Sequence, residues 1–110
     1  MTRTTLGEFE QLVMLAVLHL DGEVYGVPIV DEIERRTGRS VSRSAVYITL
    51  RRLEGKGLLS SWMSEPVAGR GGKPRRLVKV GAEGARVLRE SRAVLDKMWS
   101  GLDPQLKDVG

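Results

Sequence analysis

The sequence predicts a mainly α-helical chain with one small β-hairpin, folded as one compact unit. Three observations carry this. Four stretches show apolar residues at helical spacing. One stretch, residues 75–80, alternates with a period of two. Between the third and fourth helical stretches lies a segment rich in glycine and basic residues, the composition of a hairpin tip. With 110 residues the chain suits one domain with a modest core and leaves no room for a separate catalytic domain.

The first helix is expected over about Glu8–Leu20. Phe9, Leu12, Val13, Leu15, Ala16, Val17 and Leu18 leave it almost no polar stripe, so it must bury more than one face. In a chain this small the second partner is either the terminal helix or another subunit. Asp21-Gly22 reads as a turn. The second helix starts near Gly26, with Pro28 in the first turn, where its missing N–H costs nothing. Ile29, Val30 and Ile33 form its buried stripe, and Thr37-Gly38 ends it, Gly38 being able to take the left-handed cap. After the short link Arg39-Ser40-Val41, Ser42 caps a third helix whose buried stripe is Val46, Leu50 and Leu53. Gly55 and Gly57 close it.

Leu58–Glu65 reads as a strand with poor alternation, and Pro66–Pro74 as a basic loop. Arg75–Val80 reads as the returning strand, with Val78 and Val80 on one face and Arg75, Leu77 and Lys79 on the other. The last helix is expected over Ala82–Leu102, where Leu88, Leu95 and Leu102 recur every seven residues beside Val87, Val94, Met98 and Trp99. The tail from Asp103 should fray. Two short helices joined by a tight link and followed by a hairpin make a winged helix-turn-helix. Residues 1–81 are assigned to it, and 82–110 to a C-terminal dimerisation helix and tail of the same unit.

Charge is distributed unevenly. Residues 1–38 hold 3 basic and 7 acidic side chains, residues 39–79 hold 10 and 2, and residues 80–110 hold 5 and 5. A basic middle is the footprint of a polyanion partner. The third helix is the element that enters a major groove in this arrangement, with its N-terminal residues nearest the base edges. Arg43 and Ser44 hold those positions. Arginine can donate two hydrogen bonds to guanine, and serine can pair with several bases. Tyr47 lies off the buried stripe, its hydroxyl suited to a phosphate, and Arg51 and Arg52 follow where a groove-lying helix meets the backbone. Arg70, Lys73, Arg75 and Arg76 concentrate positive charge in the wing. The candidate DNA-binding set is therefore Arg43, Ser44, Tyr47, Arg51, Arg52, Arg70, Lys73, Arg75 and Arg76, and the expected partner is double-stranded DNA.

These residues also carry a resemblance. Tyr25-Gly26, the stretch from Ser42 through Tyr47, Leu50, Leu53-Glu54 and Gly57-Leu58 to Leu59, and Gly72-Lys73-Pro74-Arg75-Arg76 followed by Glu83-Gly84 together resemble the PadR family of bacterial transcriptional regulators. The resemblance covers about residues 6–90. It implies a homodimeric winged-helix repressor whose C-terminal helix packs on the partner's N-terminal helix, with DNA contacts at Tyr47 and the basic wing. The pattern departs from the family's at Leu77, Val78 and Gly81, where the family places an aromatic residue and a threonine, and at Ala45-Val46.

Other readings weigh less. The chain has no cysteine and one histidine, His19, so thiolate chemistry is excluded and no metal site is expected. No nucleophile–base–orienter set is visible, and the chain is not read as an enzyme. The segment Gly69–Lys73 mimics a phosphate loop, but the required spacing fails at Val67 and Pro74, so no nucleotide cofactor is expected. The longest apolar run, Leu12–Leu18, is far too short to span a membrane, and a cytoplasmic location is expected. Met98 and Trp99 read as core or dimer interface, or else as the lining of a pocket for a flat aromatic effector at the dimer centre. A winged-helix module that binds protein rather than DNA is the alternative function. The basic third helix and wing argue against it, because protein interfaces are usually depleted of lysine.

Overall fold

The structure, a computed structural model, describes residues 5–20, 26–65, 74–102 and 106. The expected turn at Asp21-Gly22, the loop residues 66–73 and most of the tail lie outside the described residues. The element order is α1 (Glu8–Leu20), α2 (Gly26–Thr37), α3 (Arg43–Gly55), β1 (Leu59–Met63), β2 (Arg76–Val80) and α4 (Ala82–Trp99). The winged helix-turn-helix architecture is therefore present.

The helix ends are held by local chemistry. Glu10 reaches back to the Gly7 N–H at 3.0 Å, satisfying a donor that the first turn of α1 leaves unpaired. Gly38 takes φ +75° and donates to Glu34 O, ending α2. The link to α3 is pinned at two points. Thr37 Oγ1 accepts the Arg39 N–H at 3.1 Å, and the Glu34 carboxylate accepts the Val41 N–H at 3.0 Å. Ser42 Oγ accepts the Ala45 N–H at 3.1 Å and caps α3. At the other end Leu58 N–H bonds Leu53 O and Gly57 N–H, at φ +77°, bonds Glu54 O. That is the Schellman arrangement, and its usual apolar contact is supplied by Leu53 and Leu58, both fully buried.

Val13 and Met14 of α1, Ile29 of α2, Val46 and Leu53 of α3, Leu58, and Val87 of α4 fill the centre of the core. α1 runs through the middle, against α2, α3 and β2. Gly84 sets how closely α4 approaches. A Cβ there would overlap the Leu58 carbonyl and crowd Met14 and Val80, so glycine is required for packing rather than for backbone freedom.

Three expectations are corrected. β1 starts at Leu59 rather than Leu58, because Leu58 is committed to the helix cap, and both strands are shorter than expected. The two strands pair antiparallel, with Leu59 opposite Val80 and Trp62 opposite Leu77. Leu77 therefore lies on the hairpin's outer face beside Trp62, yet it is buried. α4 ends at Trp99, not Leu102. Gly101 turns to φ +81° immediately after it.

Beyond Ser91 every described residue of α4 is exposed. The radius of gyration is 16.6 Å, against about 13 Å for a compact chain of this length.

Candidate nucleic-acid interface

α3 turns Val46, Thr49, Leu50 and Leu53 into the core. The opposite side carries Arg43, Ser44, Tyr47, Ile48, Arg51 and Arg52, all exposed. The Ser42 cap fixes the first turn, so Arg43 and Ser44 project from a rigid helix start. Ile48, 56% exposed, sits one turn beyond Ser44 on the same face. The sequence reading gave it no role. Its signal was available, since it lies off the buried stripe, and an exposed branched aliphatic residue there suits the thymine methyl group.

Tyr47 is 42% exposed, and its ring is seated. A Cβ at position 26 would overlap the Tyr47 ring and hydroxyl, so Gly26 at the start of α2 makes the seat. This gives a physical reason for the pairing of Gly26 with Tyr47 in the quoted pattern. Tyr47 also lines a cleft of about 350 Å³ between α3 and the wing, together with Leu50, Arg51, Glu54, Arg76 and Val78. The structure thus brings together Tyr47, Arg51 and Arg76. Arg52 lies on the other flank of α3, where its charge acts on Glu10. Arg75 is half-buried, and its N–H donates to Ser64 Oγ at 2.8 Å, closing the hairpin one step beyond the ladder. Arg70 and Lys73 lie outside the described residues.

Several carboxylates outside the cleft are engaged with other cations. Arg35 and Arg36 both bond Glu32, which is buried. Hydrogen bonds from Arg36 and then Arg35 hold the Glu32 carboxyl below its ordinary value. Arg39, in the link between α2 and α3, pairs with Glu8 at the start of α1. Burial pushes the Glu10 carboxyl up. The Gly7 N–H, Lys56 at 2.9 Å and the charge of Arg52 outweigh that and hold it below its ordinary value. By contrast, Arg43 and Arg51 have no carboxylate partner among the described residues. Among those residues, no group of three or more His, Asp or Glu side chains could hold a metal ion.

A second surface is apolar. Leu15 and Leu18 of α1 and Val94, Leu95 and Trp99 of α4 are each between 42% and 52% exposed. With Leu88, Arg89, Arg92 and Asp96 most of them line a groove of about 580 Å³ between α1 and α4. Trp99 faces this groove. Met98 does not line it and is 73% exposed. The sequence reading of α1 as a helix with two faces to bury thus meets an observed second face that this chain alone leaves open. No described helix is long and apolar enough to cross a membrane.

The chain was compared with known proteins. Residues 14–90 match the Transcriptional regulator PadR-like family. Among solved structures it is similar to a PadR family transcriptional regulator from Eggerthella lenta DSM 2243, with 31% identity and TM-score 0.67 over 94% of this chain and 88% of that one. It is similar in fold to a PadR family transcription regulator from Clostridium difficile R20291, with 20% identity and TM-score 0.73 over 91% and 99% of the two chains. A PadR-like regulator from Bacillus cereus strain ATCC 14579 matches at 17% identity and TM-score 0.66, over 92% and 89%. No curated protein matches significantly. With the family pattern spanning most of the chain and the winged helix beneath it, this protein belongs to the PadR-like family of transcriptional regulators.

Proposed function

We propose that this chain binds double-stranded DNA sequence-specifically, as a cytoplasmic homodimer, and represses transcription. The observation that carries the reading is the face of α3. It presents Arg43, Ser44, Tyr47, Ile48 and Arg51 to solvent beside the wing residue Arg76, while Glu8, Glu10 and Glu32 are paired with other cations and Glu54, in the cleft itself, accepts from Ser61. Arg43 and Ser44 read base edges, Ile48 contacts a thymine methyl, and Tyr47, Arg51, Arg52, Arg75 and Arg76 hold phosphates, with Arg70 and Lys73 extending the wing's charge. The dimer forms by covering the α1–α4 groove with the same groove of a second copy, burying Leu15, Leu18, Leu95 and Trp99. An effector that releases DNA would be a flat aromatic molecule held against Trp99 between the subunits. Such a molecule switches the protein only if it binds the two dimer conformations unequally.

The experiment is fluorescence anisotropy with a short duplex from immediately upstream of the protein's own gene, against a scrambled duplex, over a salt series. Tighter binding to the upstream duplex that persists at ~150 mM salt supports the reading. Equal, weak binding to both that vanishes with salt favours a winged-helix module whose partner is a protein. Titration of an aromatic dye while following tryptophan fluorescence tests the effector. Quenching that saturates in wild type and is lost in Trp99→Ala supports it, and its absence in wild type removes it.

A further inference from the structure

The wing is tied to α3 by a hydrogen-bond chain through a residue that the sequence reading passed over. Ser61 Oγ on β1 lies 2.6 Å from Glu54 Oε1 in the last turn of α3, and Arg76 Nη1 on β2 lies 2.8 Å from the same Ser61 oxygen. The direction of the chain is forced. A carboxylate only accepts and a guanidinium only donates, so the one Ser61 proton goes to Glu54 and its lone pair receives Arg76.

The register explains how these groups meet. Ser61 is opposite Val78 and Met63 is opposite Arg76, so Ser61 and Arg76 are diagonal neighbours on one face of the hairpin. That face also carries Leu59, Val78 and Val80, which enter the core, so it is the face turned inward toward the helices. The hydroxyl acts as a spacer. Arg76 bonds a neutral oxygen instead of the Glu54 carboxylate, so its charge is oriented without being cancelled by a direct ion pair. A guanidinium already held in place also loses less side-chain freedom when it binds.

We propose that Ser61 and Glu54 are positioning residues. They hold Arg76 at the cleft it shares with Tyr47 and Arg51, so that one DNA phosphate is met by Arg51 from the helix and by Arg76 from the wing. This rests on the DNA-binding reading above. The wing is thereby locked in angle to α3 through Ser61, and the two parts of the surface engage the duplex as one rigid body.

The test is a salt series of anisotropy titrations on a short random-sequence duplex, using wild type, Arg76→Ala, Ser61→Ala, Ser61→Thr and the Ser61→Ala/Arg76→Ala double variant. Circular dichroism checks that each is folded. Arg76→Ala should flatten the slope of log K against log salt by about 0.9, the value of one phosphate contact. Ser61→Ala should weaken binding roughly five-fold, as expected for one lost hydrogen bond to a charged group at a wet surface, and move the slope toward that of Arg76→Ala. Ser61→Thr, which keeps the hydroxyl, should restore both. In the Arg76→Ala background Ser61→Ala should add nothing, which a general loss of wing stability would not produce. Equal losses from Ser61→Ala in both backgrounds, or a wild-type slope in Ser61→Ala, overturn the proposal while leaving DNA binding intact. A wild-type slope in Arg76→Ala removes Arg76 from the phosphate contacts and overturns the proposal alone, whereas no salt-dependent binding by wild type overturns the DNA-binding reading and the proposal with it.

Discussion

On α2 and α4 most arginines are matched by carboxylates about one helical turn away: Arg35 and Arg36 by Glu32, Arg86 by Glu83 and Glu90, and Arg92 by Asp96 at 3.7 Å, with Arg89, at the apolar groove, the exception among the described residues. On α3 and the wing the arrangement differs. Arg43 and Arg51 have no carboxylate partner among the described residues, and Arg76 rests on a hydroxyl. Both surfaces are rich in arginine, so composition does not separate them. Pairing does. A guanidinium already bonded to a carboxylate must give up that bond to meet a phosphate, whereas one facing water exchanges only hydration and counterions. Within residues 39–79 the charges of Arg43 and Arg51 therefore matter because they are unpaired among the described residues, not merely because they are positive.

Substitutions can break this contrast. The largest effect is expected at Arg43. Arg43→Ala should lower affinity for the operator by about 1–3 kcal/mol while barely changing affinity for random DNA, as read by anisotropy on the two duplexes. Equal losses on both would move Arg43 to the phosphate backbone. Acid comes next. Glu8, Glu10, Glu32 and Glu83 are all held below the ordinary carboxyl value of 4.5 by their basic or N–H partners. Their folded values lie below their unfolded ones, so their stabilisation is complete above about 4.5. As pH falls through that value the unfolded chain takes up protons first, and the stabilisation drains away until the folded values are passed. Thermal unfolding followed by circular dichroism should therefore show the midpoint falling below pH 4.5, with a shallower fall in Glu10→Gln.

A smaller effect is expected at Gly81, which caps α4 without any side-chain hydrogen bond. A Cβ there meets little besides the Leu58 carbonyl at 3.9 Å. Gly81→Ser should raise stability by a few tenths of a kcal/mol in denaturant titrations. The smallest effect is at Arg86, whose bonds to Glu83 and Glu90 lie at the solvent-facing surface of α4. Arg86→Ala should leave both the affinity for DNA and its salt slope unchanged. A flattened slope would show that pairing does not separate the two surfaces.

What was legible in the sequence follows the range of the interactions. The ends of α1 and α2, the Ser42 cap and the turning glycines Gly38 and Gly57 depend on contacts within a few residues, and each is where the pattern placed it. The exposed face of α3 was legible for the same reason, since it is the complement of a stripe of period 3.6. The rest depends on register and approach. Leu77 is buried on the outer face of the hairpin, opposite Trp62, fifteen positions earlier in the chain, and no local pattern encodes that pairing. Gly84 matters because of the Leu58 carbonyl, and Gly26 because of the Tyr47 ring. Ser61 looked like an ordinary strand serine until the hairpin placed it between Glu54 and Arg76. Arg51 and Arg52, adjacent in sequence, point to opposite flanks of α3, one to the cleft and the other toward Glu10.

The contrast between the two sets of arginines can be read directly. The chain is 12.2 kDa, so the Nε–Hε signals of its arginines can be followed by NMR as a short upstream duplex is added. Arg43, Arg51 and Arg76 should shift, while Arg35, Arg36 and Arg86 keep their positions. Shifts at Arg86 and Arg35 with Arg43 and Arg51 unmoved would place the duplex on another face and contradict that contrast.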